Sequence, residues 1–169
     1  MNGSLLKDAF GHHVWATVTL IDACLELGPL QLETAVPGTY GSILDTMRHT
    51  VGADASYLFV CSGGAVPEIE EADMDLAALR DVMLALGPAW DAYLSLELDA
   101  EAVVVRHRDD GTDSAAPLGI RLAQALHHGT DHRSQVCTAL TSIGIEPPEI
   151  DAWAFAWKDG RLTETPSAS

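Results

Sequence analysis

Along most of the chain, apolar positions recur at helical spacing. In "SLLKDAFGHHVWATVTLIDACLEL", Leu6, Ala9, Ala16, Leu20, Ala23 and Leu27 make an inward stripe, with Ser4 placed to cap it and Gly28-Pro29 to end it. A second block, "PGTYGSILDTMRHTVGADASYLFVCSGG", opens on a Pro-Gly turn and closes at Gly63-Gly64. Ile43, Met47, Val51, Leu58 and Phe59 give it a buried side, although Gly52 lowers its helix propensity. A third block, from Asp75 to Glu97, carries Leu76, Leu79, Met83, Leu86, Trp90, Tyr93 and Leu94 in a near-heptad pattern. Gly87-Pro88 within it should kink the helix or restart it.

The pattern then changes. In "EAVVVRHRDDGTDSAAP", Val103, Val104 and Val105 favour a strand and Asp110-Gly111 marks a turn, so a short hairpin is expected. Pro117 suits the first turn of a fourth helix that runs to Gly144. "EPPEIDAWAFAW" predicts a helical turn packed on the bundle end, and "TETPSAS" a frayed tail. Four long helical blocks predict an all-α fold, a four-helix bundle with a short β-hairpin before the last long helix. In such bundles, cofactor sites are built from side chains on facing helices.

Composition narrows the setting. A chain of 169 residues with 47% hydrophobic residues is expected to form one domain, 1–169, with a real core and a short tail. A net charge of −16 repels phosphate backbones and argues against nucleic-acid binding. The acids are dispersed, with one modest cluster at "PEIEEADMD" that reads as a solvated loop. Cys24, Cys61 and Cys137 form no C-x-x-C pair, which fits a reducing compartment. No stretch reads as a signal peptide or a membrane span, so a cytoplasmic protein without membrane partners is expected.

The candidate chemistry lies in "LHHGTDHRSQV", which sets polar residues among Leu122, Leu126, Val136 and Leu140. His128 and His132 are four residues apart and leave the same helix face, as two ligands of one ion would. His127 is turned by about 100° from His128 and cannot easily join them. A third ligand must come from another helix, and both His49 and His13 are placed to supply it. Gln135, one turn past His132, can hydrogen-bond a ligand or a water. Asp131 and Asp54 lie off the ligand face, Asp54 with the alternative of a bond between helices. Arg133 is expected to pair with surface acids, and His107 to be exposed in the hairpin. Cys137 is half a rotation from His128, and Trp15, Tyr57 and Trp90 read as core or dimer packing.

These motifs carry a resemblance over nearly the whole chain. "HHVWATVTLIDA", "GTYGSILDTMRHTVGADASYL", the hairpin "VVVRHRDDGT", "PLGIRLAQALHHGTDHRSQV" and "GIEPPEIDAWAF" together resemble the DinB-like (YfiT-like) superfamily of metal-binding four-helix bundles. The most specific parts are "HTVGAD" and "HHGTDHRSQ", which is similar to the family's H-G-T-x-H-R-x-Q core. The resemblance implies a bundle with crossover connections, a homodimer, and one divalent metal ion, zinc or nickel, on His49, His128 and His132. It thereby decides for His49 over His13. Asp131 stands where many relatives carry histidine, and His13 where asparagine is more familiar, so His13 and Gln135 become candidates for shaping the pocket behind the ligands.

Three neutral histidines leave a coordination position for water or a small-molecule substrate, as in a catalytic zinc site. The resemblance further implies a low-molecular-weight thiol such as mycothiol or bacillithiol as co-substrate, and hence a thiol S-transferase. A metal-dependent hydrolase is the second expectation. A non-catalytic metal-binding stress protein is the third, and it would show a closed site with a fourth ligand such as His13.

Overall fold

The computed structural model describes residues 5–108 and 110–165; Ser4, the expected first cap, and the last four residues of the tail lie outside them. In chain order the elements are α1 (Leu5–Cys24), α2 (Pro29–Leu32), α3 (Ile43–Cys61) and α4 (Leu76–Tyr93). They continue with β1 (Val103–His107), β2 (Asp113–Pro117), α5 (Leu118–Ser142) and α6 (Ala152–Lys158). Each of the four helical blocks thus becomes one helix, and the hairpin precedes α5 as expected. The one-turn α2, with Pro29 in its first turn, extends beyond the expected stop at Gly28-Pro29.

Side-chain caps set the helix starts. Ser42 accepts from the Asp45 amide and Asp75 from the Ala78 amide, each supplying an acceptor that the first turn lacks. Asp151 caps α6 through the Ala154 amide. Pro117 is both the last residue of β2 and the N-cap of α5, so strand passes directly into helix. The Arg121 guanidinium ties the hairpin to α5, donating to the Val104 and Ser114 carbonyls at 2.9 and 2.7 Å. Gly111, with φ +81°, makes the turn between the paired strands.

Helix α1 packs on α4 and α5, and α3 packs on the same two. Helices α1 and α3 therefore sit across the bundle from each other, as do α4 and α5. The segments joining each diagonal pair cross the bundle: one carries α2, the other the hairpin. The core between them includes Leu20, Met47, Leu58, Leu79, Met83, Trp90 and Leu140.

The buried face of α1 differs from the expected stripe, and α4 decides between the two expected outcomes at Gly87-Pro88 only by excluding a restart. The buried face of α1 is Phe10, His13, Ala16, Thr17, Leu20, Ile21 and Cys24, whereas Leu6 is 40% exposed. His13 faces inward as its spacing predicts, but hydrophobicity alone misplaced the stripe because it does not register Thr17, whose hydrogen bond lets it face inward too. Helix α4 continues through Gly87-Pro88 without restarting. Pro88 lacks only its own amide bond to the preceding turn, while Leu86 and Trp90 on either side remain anchored in the core.

Candidate metal centre

Helices α3 and α5 face each other along much of their length, and the three histidines meet at this interface. Their ligand atoms all lie within 4.8 Å of one another. His128 Nε2 is 3.1 Å from His49 Nε2 and 3.2 Å from His132 Nε2. Two imidazole nitrogens on a tetrahedral zinc, each about 2.0–2.1 Å from the ion, stand about 3.3 Å apart. Two edges of the cluster already have that length, so the donor set fits a divalent ion. The cluster can hold a metal ion.

The surroundings prepare the rings for this. His132 Nδ1–H donates to Gln135 Oε1 at 3.1 Å, which leaves the lone pair on Nε2, the atom facing its partners. The Tyr40 amide donates to the same oxygen at 2.8 Å, and the Gln135 amide nitrogen donates to Asp131 at 3.4 Å. Gln135 is thereby fixed in orientation by α5 and by the first crossover. The Tyr40 ring stacks on His49 with centroids 4.0 Å apart and planes 5° from parallel, and Tyr57 meets His128 edge-on at 5.6 Å. Burial lowers the pKa of His128 to about 4, with His132 and His49 adding to the shift. Burial, and then His132, also lower His49, against an opposing pull from Glu71. Both groups are neutral near pH 7, the form that binds metals.

On one side the cluster opens to a cleft of about 400 Å³ reached past His49 and His128 and walled by Tyr57, Glu68, Glu71 and Arg106. The hairpin brings Arg106 there, and the loop between α3 and α4 brings the glutamates. The larger apolar cavity between α1 and α4, about 460 Å³, contains none of the three histidines.

His13 faces inward, 1% exposed, but belongs to a different constellation. Arg133 donates from Nη1 to His13 Nδ1 at 3.0 Å, which puts the imidazole proton on Nε2. That Nε2–H donates to Asp54 Oδ1 at 2.9 Å, and Trp90 Nε1–H donates to Asp54 Oδ2 at 3.0 Å. Thr17 donates to the His13 carbonyl and accepts from Arg133, which also donates to Thr130. Four helices are joined through one imidazole lying between a carboxylate and a guanidinium.

Arg133, expected at a surface ion pair, is instead 4% exposed at the centre of this network. Burial lowers its pKa to about 10, so it stays charged. A side chain at Gly129 would put Cβ 2.3 Å from His13 Cε1, so the glycine of "HHGTDHR" is the space that admits the ring. Asp54 takes the interhelical role, while His127, Asp131 and His107 are exposed. Trp90 is core, whereas Tyr57 joins the site wall. Sequence reasoning missed Tyr40, Gly129, Gly52 and Glu71. A glycine in mid-helix, next to His128 in one case and three residues after His49 in the other, was the available signal for the two glycines.

The family model described as DinB family matches residues 1–165 of the chain. No curated protein matches it. Among the described residues, no helix is long and apolar enough to cross a membrane.

Proposed function

The chain belongs to the DinB family, and on that premise we propose that it is a metal-dependent enzyme, a low-molecular-weight-thiol S-transferase. His49, His128 and His132 hold one divalent ion, zinc or nickel. The observation carrying this reading is the three-imidazole cluster open to a polar cleft, with His13, the available fourth ligand, engaged by Asp54 and Arg133. A catalytic site keeps such an open position; a structural one closes it.

When bound, the ion supplies Lewis acidity that favours thiolate over thiol. Gln135 holds His132 in the tautomer that ligation requires, and Tyr40 covers the outer face of His49. The chain's own thiols are unsuited to the nucleophile's role: burial raises Cys24 to about 12 and Cys61 to about 11, and raises Cys137 as well. An external thiol such as mycothiol or bacillithiol therefore supplies the sulfur. It loses its proton to solvent in the open cleft, its sulfur bonds to the electrophilic atom of the small-molecule substrate, and the leaving group departs with its electron pair. A cytoplasmic homodimer belongs to the same proposal; exposed Trp153 and Trp157 on α6 offer apolar surface for self-association, which light scattering would read.

The test is conjugation of monochlorobimane by several small thiols, with and without chelator. Activity that needs both the metal and a particular thiol is expected. Conjugation indifferent to both overturns the transferase. Failure with every thiol, together with metal-dependent ester or amide hydrolysis, replaces it with a hydrolase.

A further inference from the structure

The cleft beside the histidines has an uneven wall of charge. Glu68 is satisfied: Ser56 Oγ donates to it at 2.6 Å and Arg106 lies 3.6 Å away. Glu70 and Glu71 line the same cleft, and among the described residues neither forms an ion pair. Glu71 also lines the second cleft on the other side of His49, with Tyr40, Asp45 and Arg48. There Arg48 is taken up by the Met74 carbonyl at 2.8 Å and by Asp45 at 3.9 Å. Glu71 thus borders His49 from both openings.

Its position depends on Gly52. A Cβ built on Gly52 would meet Glu71 Cδ at 2.4 Å and Oε1 at 2.7 Å. The carboxylate therefore rests against the bare backbone of α3. Gly52 follows His49 by three residues, so both lie on one helix face, with Cβ positions about 5–6 Å apart. A glycine in mid-helix is less favourable than alanine. Here the missing side chain is the seat of a carboxylate.

We propose that Glu71, seated on Gly52, is a specificity-determining residue that makes the cleft select ligands carrying a positive charge near the group they present to the histidine cluster. This inference rests on the metal-site reading and names the class of thiol that the site takes: one bearing an amine or another cationic group near its sulfur. A unit charge about 6 Å from a carboxylate in a partly solvated cleft, at an effective dielectric of about 40, changes affinity about tenfold.

The test uses the cobalt-loaded full chain and three thiols of similar length: cysteamine, 2-mercaptoethanol and mercaptoacetate, which are cationic, neutral and anionic. Binding is read from the sulfur-to-cobalt charge-transfer band. The wild type should bind cysteamine about tenfold more tightly than 2-mercaptoethanol, and mercaptoacetate more weakly than either, with the differences shrinking in salt. Glu71→Gln should keep its cobalt and its affinity for 2-mercaptoethanol while losing the discrimination. Gly52→Ala leaves the carboxylate present but displaced. It should also lose the discrimination, while its melting temperature rises by about 2–4 °C.

Equal affinities in the wild type, or discrimination that survives in either variant, overturns the proposal, as does failure of cysteamine to bind. The metal-site reading is judged separately by cobalt content. If His128→Ala retains stoichiometric cobalt, that reading fails whatever the thiols do.

Discussion

His128 carries two chemical roles that pH separates. In the folded chain burial and then the neighbouring imidazoles hold its pKa at about 4, against 6.5 for the free side chain. The native state therefore binds this proton less readily than the unfolded one, and the unfolded state gains protons first as pH falls. Stability of the metal-free protein should be flat above about 6.5 and decline between 6.5 and 4. Denaturant titrations across that range would read it, and His128→Gln should flatten the decline.

A second residue-scale expectation concerns the imidazole between Asp54 and Arg133. Asp54→Ala leaves a buried guanidinium without its counter-charge and the Trp90 N–H without an acceptor. The loss should be about 3–5 kcal/mol, and a second change, Arg133→Met, should recover part of it. Simple additivity of the two would contradict the network. The sequence displayed His128 and His132 by spacing, and His49 by motif. It could not display that His13 and Arg133 are partners, because they are 120 residues apart and nothing periodic links them.

At the scale of elements, the helices were legible because four apolar repeats each became a helix in nearly the expected place. What hydrophobicity could not index was the face of α1, where two polar residues point inward, and the seat that Gly52 gives to a loop carboxylate. Contacts made by loops obey no repeat. Pro88 shows the opposite limit: a strong local breaker is tolerated when its neighbours are anchored in the core. Pro88 is exposed and interrupts one backbone hydrogen bond of α4. Pro88→Ala should therefore stabilise the protein by about 1–3 kcal/mol, read by thermal melting. Gly129→Ala should do the reverse, about 1–3 kcal/mol of destabilisation, because its Cβ meets the His13 ring rather than a mobile chain end. Both substitutions raise helix propensity but meet opposite surroundings, so their signs distinguish packing from propensity.

For the whole molecule, the bundle explains why the site forms where it does. Helices α3 and α5 are far apart in sequence but adjacent in space, and the crossovers deliver the surrounding parts: Tyr40 from the first, Arg106 from the hairpin in the second. An ion that binds only the folded state must stabilise the whole chain. At a free metal concentration a hundredfold above its dissociation constant, the gain is about 2.7 kcal/mol, or about 5–10 °C in melting temperature. Chelation should remove that increment, and re-addition of zinc or nickel should restore it.

The most direct measurement is the metal content of the chain purified without a histidine tag, beside its His128→Ala variant. About one divalent ion per chain in the wild type, and its loss in the variant with the helical fold retained, is the predicted result. A variant that keeps stoichiometric metal would contradict the ligand assignment and the function proposed from it.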